Sequence, residues 1–189
     1  APHDAGSSAA ALIGWVAVGE QRGVYLQALD DNGSAVDSPQ RLSTLTNRSG
    51  SVAIAQGRDG AAVVYAVLTG SGQSEVRFRS IDDEGQASPA ERSIAGGADK
   101  ALSPAIAATP SGYVIAYRRI PPGASGEATL RLTYTDGQGN TARTRDVAPI
   151  EASGGPILVR AASDGRLVLA WSATDEEGER LHVITTQCL

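Results

Sequence analysis

One pattern occurs four times along this chain, and it limits the possible folds more than any other feature. An apolar run with an aromatic residue appears at Leu12–Val18, Ala61–Val67, Tyr113–Tyr117 and Arg166–Trp171. The aromatics Trp15, Tyr65, Tyr117 and Trp171 lie 50, 52 and 54 residues apart. Self-similarity at a fixed period marks an array of like units, none of which buries its apolar surface alone. The 189 residues are 41% apolar, enough for a core.

The surroundings of each run define the unit. Val52-Ala53-Ile54-Ala55, Pro104-Ala105-Ile106-Ala107 and Pro156-Ile157-Leu158-Val159 precede three of the runs. They lead into turns at Arg58-Asp59-Gly60, Pro110-Ser111-Gly112 and Ser163-Asp164-Gly165, where glycine supplies the backbone freedom of a short hairpin. Pro2 precedes Trp15 by 13 residues, as Pro104 precedes Tyr117, so the spacing predicts a first strand over Ala1–Ala5.

After each run comes a segment with period-two alternation, at Val24–Leu29, Glu75–Ile81, Thr129–Tyr134 and Leu181–Thr185. Alternation of this kind is the mark of a half-exposed strand. Asp/Gly turns follow at Asp30–Gly33, Asp82–Gly85 and Asp136–Gly139, then weaker strands at Gln40–Ser43, Glu91–Ile94 and Thr144–Val147. The 22 glycines are spread largely over these turns. No segment shows helical periodicity.

The predicted fold is therefore all-β, a β-propeller with four blades of four-stranded antiparallel meanders. The blades run over about 1–49, 50–101, 102–153 and 154–189. The last one stops after its third strand, at Gln187-Cys188-Leu189. Three readings of that count stay open. The chain closes on itself with a three-stranded last blade, or a partner chain or a second copy completes a larger propeller, or the chain is an excised fragment.

The motifs Pro-x-Ile-Ala, Gly112-Tyr113-Val114-Ile115-Ala116-Tyr117 and an Arg-rich strand ending in Asp-x-x-Gly resemble uncharacterised secreted β-propeller repeats of myxobacteria and related bacteria. The resemblance spans the whole chain. It implies the fold and a place in a larger surface or secreted protein, and it implies no activity.

Charge and cysteine content narrow the partners. A net charge of −5 leaves no basic footprint for nucleic acid. No apolar run has the length of a membrane span. A first residue other than Met and the start Ala1-Pro2-His3-Asp4 read as a processed or excised piece, which points to a secreted, cell-surface or periplasmic location. The lone Cys188 excludes an internal disulfide and a Cys-x-x-Cys zinc site. An unpaired strand edge at 181–189 invites association, so a protein partner or self-association is expected to cover it. Cys188 on that edge reads as a free thiol or as an intermolecular disulfide.

Catalytic signals are sparse. His3 and His182 are the two histidines, in the first and last repeats, and strand alternation favours surface or packing roles for both. The acidic turns could supply oxygens to calcium, but no EF-hand spacing follows and turn chemistry explains them; no cofactor is expected. The strand aromatics read as inter-blade packing rather than a sugar-stacking platform. In a meander of this order the longest loops gather on one face, bordered by Arg118, Arg119, Lys100 and Arg48. These four are the candidate ligand-binding residues.

The favoured function is a non-enzymatic extracellular binding or assembly module that uses this loop face, with a protein or a glycan as ligand. One alternative is a structural portion of a larger or oligomeric propeller. Another is a glycan-active hydrolase or lyase, for which Asp4 is the only acid in an expected innermost strand.

Overall fold

The computed structural model describes residues 9–43, 48–69, 72–124, 126–175 and 178–187, with Arg48, Ser49 and Asp175 described by backbone alone. These residues form four antiparallel sheets. The first contains β1 (Ala11–Ala17), β2 (Gly23–Leu29) and β3 (Gln40–Arg41), with a 3-10 turn at Gly19–Gln21 between β1 and β2. The second contains β4 (Arg48–Gln56), β5 (Ala61–Leu68), β6 (Ser74–Ile81) and β7 (Arg92–Ala95). The third contains β8 (Lys100–Thr109), β9 (Gly112–Ile120), β10 (Glu127–Thr135) and β11 (Thr141–Glu151). The fourth contains β12 (Ile157–Ala161), β13 (Arg166–Asp175) and β14 (Gly178–Gln187). Within every sheet the strands pair in sequence order. The expected strand over Ala1–Ala5 lies outside the described residues, as do His3, Asp4 and Cys188.

Each sheet stacks on the next. β1 and β2 pack on β4, β4 to β6 on β8, and β8 and β9 on β12. Among the described residues no comparable packing joins the first sheet to the fourth. Three apolar clusters fill the three spaces. Val24, Leu26, Val63 and Tyr65 meet between the first two sheets. Val64, Phe78, Ile106 and Ile115 meet between the second and third. Leu130, Leu132, Leu169 and Trp171 meet between the third and fourth.

This stacking explains the apolar runs. β5 is buried on both faces along Ala61–Val67, which requires a continuous apolar sequence rather than alternation. β6 alternates, with Ser74, Val76 and Phe78 buried and Glu75, Arg77 and Arg79 only half-buried. The strand aromatics point toward the preceding sheet, and Tyr65, Tyr117 and Trp171 are sealed there. Trp15 has no described sheet before it and is only half-buried.

The hairpins fix which residues face which way. β4 and β5 pair Gln56 with Ala61, and β8 and β9 pair Thr109 with Gly112. Both leave an even number of residues in the loop. β12 and β13 pair Ala161 with Leu167, which leaves an odd loop. The extra residue places Ile157 opposite Trp171, where Val52 stands opposite Tyr65. Aligning the repeats on Pro104 and Pro156 therefore puts β12 one residue out of phase, because a one-residue slip exchanges the two faces of a strand. Ile157 and Val159 face the third sheet and are buried, while Leu158 faces away.

Candidate functional site

The loop-face residues do not form one cluster. Arg118 and Arg119 are consecutive on β9, and consecutive strand residues point to opposite faces. Arg118 is 2% exposed, which replaces the solvated position expected from sequence. Its guanidinium lies between the third and fourth sheets, where Nη1 donates to Ser103 Oγ at 3.0 Å and Nη2 to the Gly155 carbonyl at 3.3 Å. Nε is buried without a hydrogen-bond partner. Burial lowers the pKa of this guanidinium, with Glu151 acting in the opposite sense.

Arg119 faces the second sheet and forms an ion pair with Asp99. The pair lies in a polar cleft of about 420 Å³ together with Tyr117, Arg131 and Thr144. Arg131 in turn holds the Asp146 carboxyl below the usual carboxylate range through a hydrogen bond. Lys100 opens β8 as an exposed residue. Arg48 opens β4, and its side chain lies outside the description.

A second cleft, of about 590 Å³, runs along β4, β8 and β12, the first strands of the second, third and fourth sheets. Ser51, Ser103 and Gly155 sit at its rim, beside bulges that interrupt β4 and β8 at related places. Ser103 takes φ +52°, a left-handed conformation that non-glycine residues avoid. That twist presents its hydroxyl to Arg118. Among the described residues the cleft lining contains no carboxylate.

The acidic turns hold themselves together. Asp30 Oδ1 accepts from the amides of Asn32 and Ser34, and Asp136 Oδ1 from those of Gln138 and Asn140. Asp82 Oδ1 accepts from the Gln86 amide. Among the described residues no group of three or more His, Cys, Asp or Glu side chains gathers to hold a metal ion. His182 stacks flat on Trp171, with ring centroids 5.3 Å apart and planes 8° apart.

The two ends of the stack are the most distinctive surfaces. On the fourth sheet Leu158, Val168, Leu181 and Val183 are 57%, 38%, 72% and 57% exposed. Strand pairing shows what these positions are. Ala170 stands opposite Val183, as Ala116 stands opposite Leu132 and Val64 opposite Phe78. Leu132 and Phe78 are fully buried beneath the following sheet. The bare face of the fourth sheet thus repeats the faces that the second and third sheets cover. The sequence contained the signal: Leu167-Val168-Leu169-Ala170-Trp171 reads as a strand buried on both sides, yet among the described residues only one side is covered.

The first sheet presents the complementary face. Ile13 is 48% exposed, and Trp15 stacks on Tyr25 at 5.5 Å and 15°, with Arg41 over the Tyr25 ring. The Trp15–Tyr25 pair occupies the position of Trp171–His182. The Asp/Gly turns make the same point. A Cβ on Gly85 would lie 2.5 Å from Ala28 of the first sheet, and one on Gly139 would lie 2.4 Å from Phe78 of the second. The equivalent Gly33 has nothing within 4 Å.

No protein-family model and no curated protein matches the chain. A solved structure does: the crystal structure of a protein of unknown function from Dyadobacter fermentans DSM 18053. It aligns over 88% of this chain with a TM-score of 0.55 and 16% identity. The alignment covers 49% of that chain, so the present chain spans about half the length of that structure. At this identity the similarity shows the fold alone. The class thus defined is an all-β protein of four stacked antiparallel sheets.

Proposed function

We propose that the chain is a non-enzymatic β-propeller assembly module of a secreted or cell-surface protein, acting by docking through its terminal sheets. The observation that carries this reading is the bare apolar face of the fourth sheet. Leu158, Val168, Leu181 and Val183 stand where the second and third sheets bury their residues under a following sheet. Soluble surfaces rarely keep such contiguous apolar faces uncovered, and those that do so mark interaction sites. The order of the meanders and the adjacency of β4, β8 and β12 support a radial arrangement of blades about the inner strands. The loop-face residues Arg119 and Lys100 serve as rim contacts for a protein or glycan in this reading.

An apolar dye tests the reading on the single chain at dilution. The dye binds the fourth sheet, and Leu181→Ser with Val183→Ser removes most of the signal while the melting curve is kept. A single chain whose fourth sheet takes up no dye would have closed on itself, and the reading would fall.

A further inference from the structure

Every inter-sheet space in this protein is built from two unlike faces. The leading face of the second sheet presents Val64 and Phe78, and that of the third Ala116 and Leu132. The trailing face of the next sheet brings an aromatic, Tyr65, Tyr117 or Trp171, and Trp171 stacks on His182 of the adjoining strand. The chain makes this contact between consecutive sheets, and among the described residues one face of each kind, on the first and on the fourth sheet, stays uncovered. Val183 and Leu181 lie on the free leading face. Ile13 and the Trp15–Tyr25 stack lie on the free trailing face.

We infer that these two faces dock on one another between separate copies of the chain, head to tail, so that β12–β14 of one copy receive β1–β3 of a second. This rests on the assembly reading above and names its partner. Two features favour a second copy over an unrelated protein. The acceptor positions are those that this chain's own sheets already cover, and the donor is a sheet of the same repeat. Gly33 stands in open space where Gly85 and Gly139 seat their turns on the preceding sheet, so the first sheet has an unused turn to seat. A contact between unlike faces is heterologous, and it closes into a ring or continues as an open assembly according to its rotation.

The contact predicts a complementation pattern that like-with-like pairing cannot produce. Ile13→Glu blocks the trailing face and Val183→Arg blocks the leading face, both at exposed positions that leave the cores intact. Light-scattering mass in solution should exceed 19.3 kDa for the wild-type chain and fall to that single-chain value for each variant alone. Mixing the two variants should restore a pair of exactly two chains, because one good leading face and one good trailing face remain. Milder Ile13→Ser and Val183→Ser variants, with melting curves recorded for all, separate docking from misfolding. Association that survives in either blocked variant alone overturns the inference, as does a wild-type chain that stays single at high concentration. If that single chain still binds apolar dye at its fourth sheet, the assembly reading stands with another partner. If it does not, both fall.

Discussion

Arg118 is a charged side chain sealed between two sheets, and among the described residues no carboxylate lies within ion-pair distance of it. A buried charge with two hydrogen bonds and a bare Nε is a weak source of stability. Replacing it with an apolar side chain of similar length should therefore cost little. Arg118→Met is expected to change unfolding free energy by no more than about 1 kcal/mol, whereas Arg118→Ala, which leaves a cavity, should cost about 2–4 kcal/mol in urea titrations. Tyr65 gives a second prediction. Burial, then its hydrogen bond to Glu91, raises its phenol well above the ordinary value of 10.0. The neutral phenol is favoured in the folded state, so its contribution is complete below pH 10 and is lost as the pH rises beyond it. Tyr65→Phe should be less stable near neutrality and show a shallower alkaline decline in melting temperature. The sequence placed Tyr65 correctly in inter-sheet packing. It misplaced Arg118 because the loop face was read from segment ends, while strand alternation already separates Arg118 from Arg119.

The Asp/Gly turns of the second and third sheets seat each of them on the sheet before it. Gly139 has φ +79° and no room for a Cβ beside Phe78, while Gly33 has φ +77° and open space. Comparing Gly139→Ala with Gly33→Ala separates the backbone cost from the inter-sheet contact. Gly33→Ala should cost only the left-handed penalty of about 1–2 kcal/mol, and Gly139→Ala distinctly more, as read from chemical denaturation. Asp136 in the same turn has its carboxyl held low by the Asn140 side chain and by backbone amides. Its contribution is present above the unfolded carboxylate pKa near 3.8 and fades as the pH falls through the lower folded value. Asp136→Ala should therefore flatten the acid limb of the stability curve. These turns were legible in the sequence because Asp and Gly at fixed offsets specify them chemically. The phase of β12 was not, because it depends on one extra residue in a hairpin whose composition looks like the others.

The whole molecule is a stack with unlike ends, and its stability should depend on its own concentration. Association through the folded faces stabilises the native state by mass action. The melting temperature should rise over a hundredfold concentration range in the wild-type chain and stay flat in Val183→Arg. The all-β class and the four repeated sheets were legible at this scale, since four apolar runs at even spacing leave few other solutions. The end faces were not recognised as sites because bare and covered strands carry the same kind of sequence, and only the neighbour distinguishes them.

The odd hairpin between β12 and β13 has a consequence for how this chain can change over time. In the second sheet, trimming two residues from the hairpin between β4 and β5 would preserve the parity of the strand, and trimming one would invert it. In the fourth sheet an odd loop sets the phase that turns Leu158 outward and Ile157 inward. Loops of this kind are commonly treated as places where insertions and deletions are neutral. Here a single codon gained or lost would exchange a core surface for a contact surface without altering one side chain of the strand. Variation in length at 162–166 would thus be filtered as severely as variation in the core.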